Sequence, residues 1–173
     1  ILLKNSDNAL PLVKGAQVAL FGINQIDYIK GGGGSGDVYV TYARNLLYGL
    51  QEKEKAGEIV LVPELVAFYR EAFKEGRRCT NEPEISTELI QKAKEKADIA
   101  IITVGRYSLE GSDRSAGKGD YYLSDSEQKL VKQITAAGFE KVIINLNVGG
   151  MVDTQWFKNN PKIIIGLSNP TVL

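Results

Sequence analysis

Ile99-Ala100-Ile101-Ile102-Thr103-Val104 runs directly into Gly105-Arg106-Tyr107-Ser108-Leu109-Glu110-Gly111-Ser112-Asp113-Arg114-Ser115-Ala116-Gly117-Lys118-Gly119-Asp120. The first segment is apolar without alternation, the pattern of a strand buried on both faces, as in a parallel sheet. The second is polar and glycine-rich, a loop. After Tyr121-Tyr122-Leu123 comes Ser124-Asp125-Ser126-Glu127, whose Ser and Glu stand at capping-box spacing and open a helix. A strand, a long loop at its carboxyl end and a marked helix start form the unit from which open α/β sheets build their sites. Loops near this length are uncommon in compact domains unless they are functional or disordered. The loop is therefore read as the element that presents Glu110.

The same alternation extends in both directions. Upstream, Gln17–Phe21 and Ile59–Val62 read as strands. Helices are expected over Val40–Lys55, from Glu64 to about Lys74, and from a Ser86 cap through Lys96. Downstream, the Ser124 helix shows Leu130, Val131 and Ile134 before Gly138. Strands follow at Val142–Leu146 and Ile163–Ile165, with a short helix around Val152–Lys158 between them. Ile1–Leu12 reads as an extended lead-in. Continuous apolar strands between amphipathic helices predict an α/β three-layer sandwich: a mostly parallel sheet of about five to six strands with helices on both faces. Residues 1–173 are read as a single domain. The start at Ile1, rather than Met, is read as that of a piece of a longer protein.

Lys plus Arg and Asp plus Glu are equal at 21 each, which argues against a nucleic-acid partner. No apolar run is long enough to span a membrane. Cys79 is the one cysteine, so no internal disulfide can form, and the usage tilts toward the cytoplasm rather than secretion. The chain has no histidine, which excludes Ser-His-Asp and Cys-His catalysis and His-containing zinc sites within it. Carboxylate chemistry remains, with no metal or cofactor required.

Two segments can carry chemistry. Gly31-Gly32-Gly33-Gly34-Ser35-Gly36 matches a dinucleotide-type glycine pattern, but Ile23–Lys30 separate it from its strand, and no Lys-Ser/Thr follows as in a phosphate-binding loop. The other readings are a plain flexible turn, or a bare loop that lets the backbone and Ser35 approach a ligand or another domain. Glu110 is either a solvated loop carboxylate or a general acid, with Asp113 and Arg114 close by to pair and pin the loop. Cleavage of a glycosidic bond uses two carboxyl groups. Only one is evident in this loop, so the chain taken alone presents half a site.

Glu110-Gly111-Ser112-Asp113-Arg114, with Leu123 and Gln128 downstream, resembles the C-terminal domain of glycoside hydrolase family 3. So do Leu2-Leu3-Lys4-Asn5 with Leu10-Pro11-Leu12, Gly32-Gly33-Gly34-Ser35-Gly36, and Asn147-Val148-Gly149-Gly150-Met151-Val152-Asp153. The resemblance runs from Ile1 to about Leu167. It implies a sandwich domain packed against a barrel domain of the same parent chain, with the active site between them. It also implies retaining hydrolysis of a β-glucoside or β-xyloside. In that scheme the barrel supplies the nucleophilic aspartate, and the matching acid/base position here is Glu110. Asp113 and Arg114 would then structure the loop, and Ser35 with Gly34 and Gly36 would line the sugar site. Leu109 stands where close relatives often have Gly. An isolated fragment is expected not to turn over. Two alternatives are a non-catalytic interaction or sugar-binding domain of the same fold, and a nucleotide-binding α/β domain.

Overall fold

The computed structural model describes residues 1–6, 10–34, 38–75, 80–109, 111 and 114–170, the last stretch from 164 on by its backbone alone. Its strands are β1 (Leu2–Asn5), β2 (Ala16–Phe21), β3 (Ile59–Leu61), β4 (Ile99–Arg106), β5 (Lys141–Val148) and β6 (Ile163–Pro170). Its helices are α1 (Leu46–Lys55), α2 (Pro63–Lys74), α3 (Thr87–Lys96), α4 (Asp125–Ala136) and α5 (Gln155–Lys158). A 3-10 turn occupies Ile23–Gln25. The strands form a single sheet in the order β1-β6-β5-β4-β2-β3. β2 through β6 run parallel to one another, and β1 is antiparallel to β6.

Side chains alternate across the sheet and build two cores. Ala19 and Phe21 of β2, Ala100, Ile102 and Val104 of β4, and Val142, Ile144 and Leu146 of β5 face α2, α3, α4 and α5 through Leu65, Tyr69, Ile90, Ala93, Leu130, Ile134 and Phe157. Ala16, Val18, Leu20, Ile99, Ile101 and Ile143 face the other way, toward Leu47 of α1. The expected three-layer sandwich is thus present, with α1 on one face and the remaining helices on the other. Burying each large apolar side chain stabilises the fold by roughly 1.5–3 kcal/mol relative to exposure.

Several helix signals act as the sequence predicts. The Ser124 hydroxyl accepts from Glu127 N–H, and the Glu127 carboxylate accepts from Ser124 N–H, completing the capping box. Ser86 caps α3 through Leu89 N–H. Two expectations change. The helix expected from Val40 begins only at Leu46, because Asn45 is extended (φ −91°, ψ 173°) and its side chain accepts from Tyr48 N–H. The lead-in, read as extended, gains a role beyond that: Leu2–Asn5 pairs with β6 and forms that edge of the sheet.

The order of the strands fixes where a site can form. From β2 the chain moves outward to the edge strand β3. It then crosses back to β4, which pairs with β2 on its other side, and continues outward through β5 and β6. The direction of winding therefore reverses between β2 and β4. In open α/β sheets the crevice beyond the carboxyl ends of the strands at such a reversal is the binding position.

Candidate functional site

Three segments leave the carboxyl ends of β2, β4 and β5 and meet at this reversal. The first leaves β2 through Gly22, which has φ +95°. A Cβ there would lie 3.0 Å from the backbone nitrogen of Thr103 and nearer still to its carbonyl oxygen, so only glycine fits against β4. The buried Glu82 carboxylate accepts from Ile23 N–H at 2.9 Å and fixes the 3-10 turn. Asn45, besides capping α1, donates to Ile26 O at 3.2 Å.

Asn147, buried near the end of β5, holds the next part of this segment. Ile29 N–H donates to Asn147 Oδ1 at 2.6 Å, and Asn147 Nδ2 donates to Ile29 O at 3.1 Å. This places the glycine run beside the loop that follows β4. Gly33 N–H donates to Ser108 O at 2.7 Å, and Gly33 and Leu109 form a parallel bridge. A Cβ on Gly32 would lie 2.9 Å from Ser108 O, and one on Gly33 would lie 2.8 Å from the Tyr107 hydroxyl. Gly32 is therefore bare because the Ser108 backbone lies against it, and Gly33 because the Leu109 and Tyr107 side chains do. Among the described residues, the α-helix that follows the run is α1, which begins only at Leu46. Among the described residues, no α-helix N-terminus of the kind a dinucleotide turn supplies stands at this position. Gly34 has φ +73°; Ser35 and Gly36 lie outside the described residues.

The loop after β4 is held at both ends. On its outgoing leg, Gly149 N–H donates to Arg106 O at 3.3 Å. Gly150 sits so close that a Cβ would lie 3.0 Å from Arg114 Nη1 and 3.6 Å from Ser108 Oγ. On its return leg, Asp153 N–H donates to Tyr121 O at 2.8 Å. Glu110 and Asp113 lie outside the described residues; Leu109, Gly111 and Arg114 lie within them. The carboxylate that Arg114 meets is Asp120: Nε donates to Asp120 Oδ1 at 2.5 Å and Nη2 to Asp120 O at 2.8 Å. Ser115 N–H and Oγ both donate to Asp120 Oδ2. Burial pushes the Asp120 carboxyl upward, but the hydrogen bond from Arg114, those from Ser115 and the Arg114 charge outweigh it. The carboxyl titrates below its ordinary range.

Arg106, the last residue of β4, had no assigned role in the sequence reading. It forms a bidentate pair with Glu127, Nη1 to Oε1 at 2.7 Å and Nη2 to Oε2 at 2.8 Å. The two side chains are only 3% and 4% exposed. Pairing at this depth requires every donor to be satisfied. The sequence signal was present in the capping-box glutamate, but its second partner was not legible. Beside the loop, Arg114, Ser115, Ala116, Tyr121, Tyr122 and Met151 line an open cleft of about 550 Å³. Met151, at 86% exposure, stands at its rim. No group of three or more His, Cys, Asp or Glu side chains placed to hold a metal occurs among the described residues. No helix among them is long and apolar enough to cross a membrane.

A parallel α/β sandwich whose glycine segment and β4 loop meet at the winding reversal defines an α/β domain with its candidate site at the carboxyl edge of its sheet. Residues 1–169 match the glycosyl hydrolase family 3 C-terminal domain, and the chain belongs to that family. It is 39% identical over 191 residues to β-glucosidase A of Butyrivibrio fibrisolvens, covering 94% of this chain and 23% of that protein. β-Glucosidase 3B from Thermotoga neapolitana, solved in complex with α-D-glucose, superposes with a TM-score of 0.83 at 35% identity, over 96% of this chain and 24% of that one. A β-glucosidase from Paenibacillus barengoltzii superposes with a TM-score of 0.87 at 28% identity, over 97% and 19%. The chain thus spans 19–24% of the length of these relatives.

Proposed function

We propose that this chain is the sandwich domain of a retaining β-glycosidase acting on β-glucosides or β-xylosides, and that it contributes the acid/base carboxylate, Glu110, to a site completed by a barrel domain of the parent chain. In the first step the Glu110 carboxyl gives its proton to the glycosidic oxygen as the bond from that oxygen to the anomeric carbon breaks. A carboxylate on the barrel forms the new bond to that carbon. In the second step the Glu110 carboxylate takes a proton from water as the water oxygen attacks the same carbon and displaces the barrel carboxylate. Gly34, Ser35 and Gly36 line the sugar position, while Asp113 and Arg114 shape the loop. No metal or cofactor enters either step.

One observation carries this reading. The Gly33–Ser108 hydrogen bond and the Gly33–Leu109 bridge fasten the glycine segment to the residue that immediately precedes Glu110. The β-glucosidase names of the relatives support the choice of reaction.

The test compares the parent protein with its Glu110→Ala variant on two aryl β-glycosides, one with a good and one with a poor leaving group, each with and without azide. The expected result is a loss concentrated on the poor leaving group, with azide restoring turnover on the good one. A variant equal to the parent on both substrates would overturn the assignment. The isolated domain is expected to show no turnover, because the nucleophile lies elsewhere.

A further inference from the structure

The Arg106 guanidinium carries five N–H donors, and every one is engaged. Two go to the Glu127 carboxylate. Nη1 also reaches Gly105 O at 2.7 Å, Nε reaches Asp120 O at 2.7 Å, and Nη2 reaches Tyr122 O at 3.2 Å. The group therefore joins the end of β4, the first turn of α4 and the return leg of the intervening loop. The Asp120 carbonyl oxygen is shared, accepting from Arg106 Nε on its buried side and from Arg114 Nη2 on its loop side. Two arginines from different depths of the fold thus converge on one carbonyl. The Asp120 side chain closes the outer half through Arg114 and Ser115.

We propose that Arg106 is a positioning residue: through the Asp120 carbonyl it sets the Arg114–Asp120 clasp and thereby the loop that presents Glu110 to the leaving group. This rests on the acid/base reading of Glu110 given above. A buried ion pair adds little net stability over well-packed apolar side chains, so stability alone does not account for an arginine here. A planar group with five fixed donors defines the relative position of three backbone segments, which an apolar side chain does not.

The test uses the full parent enzyme with Arg106→Lys, Asp120→Asn and Glu110→Ala, assayed on aryl β-glycosides of graded leaving-group ability. Lysine keeps the charge and loses the fork. Asp120→Asn alters only the partly exposed clasp, so it stays informative if Arg106→Lys fails to fold. General acid catalysis contributes about 10²–10⁴-fold; partial misplacement of the acid is expected to cost about tenfold more on the poorest leaving group than on the best. The dependence on leaving group then steepens in both variants, in the direction of Glu110→Ala. If Glu110→Ala steepens the dependence while folded Arg106→Lys and Asp120→Asn lose activity equally on all substrates, or not at all, the positioning role is overturned and the acid/base assignment stands. If Glu110→Ala itself leaves the dependence flat, both fall.

Discussion

Asn147 and Ile29 exchange two hydrogen bonds across a separation of 118 residues, the amide of one side chain reading both polar groups of one backbone unit. The pairing ties the end of β5 to the segment that follows β2 and carries the glycine run. Replacing Asn147 by Ala leaves a buried N–H and a buried C=O without their partner. Leaving a buried group unsatisfied costs about 1–3 kcal/mol. Asn147→Ala is expected to lower the unfolding midpoint accordingly, measured by circular dichroism on heating. Asn147→Asp keeps the acceptor but loses the donor, and an intermediate loss is expected.

Gly22 offers a sharper probe of backbone proximity. Its φ of +95° and the Thr103 backbone beside it leave no room for a methyl group. Overpacking of a core costs roughly 1–3 kcal/mol, and strained backbone adds a similar amount. Gly22→Ala is expected to destabilise more than Gly57→Ala, which shares a positive φ but meets nothing within 4 Å. Equal losses in parallel denaturant titrations would show that conformation alone, and not contact with β4, governs both sites.

The Arg106–Glu127 pair predicts an asymmetric response. Removing one partner strands a buried charge, which costs about 3–5 kcal/mol. Glu127→Ala is expected to reach that range, because it removes the capping box as well. The double replacement Arg106→Met with Glu127→Leu is expected to recover much of the stability while the steepened dependence on leaving group persists. Thermal midpoints and turnover measured on the same preparations check both halves.

Acidification addresses the outer clasp. The Asp120 carboxyl titrates lower in the folded chain than in the unfolded one. A depressed carboxyl contributes stability above its unfolded pKa and loses it as the pH falls through the folded value. The stability difference between wild type and Asp120→Asn is therefore expected to hold from neutral pH down to the ordinary carboxylate range and to vanish below it. A difference that stays constant into strong acid would show that the carboxylate charge is not what holds Arg114 and Ser115.

The parts of the fold legible in the sequence were those written in local code. The apolar runs of β4 and β5, the Ser86 cap and the Ser124–Glu127 box each announce themselves within a few residues, and each stands where expected. What stayed hidden depends on distant partners. Leu2–Asn5 is too short and too exposed to read as a strand until β6 lies beside it. Val40 and Ala43 fall in helical register with Leu47, but the Asn45 side chain, bonded to both Tyr48 and Ile26, starts the helix later. At the site, the loop and its arginine were legible. Asp113, read as a partner of Arg114, lies outside the described residues; the carboxylate that Arg114 meets among them is Asp120, brought in by the turn at Gly119 and not singled out in the sequence. Arg106 was masked by its place at the end of an apolar strand, where an arginine in sequence looks like the first solvated residue.

The winding reversal between β2 and β4 has a kinetic consequence. Strands on either side of it are joined through α1, β3, α2 and α3, so every bond that fastens the glycine segment to the β4 loop closes a long stretch of chain. Contacts of that kind form late and slowly, because loop closure must precede any stabilisation they give. The carboxyl edge of the sheet is therefore expected to be among the last parts of the domain to mature during synthesis and the first to reveal an incomplete one. In the parent protein, recovery of turnover after refolding would then trail recovery of helical signal, and the lag would time the closing of the sheet.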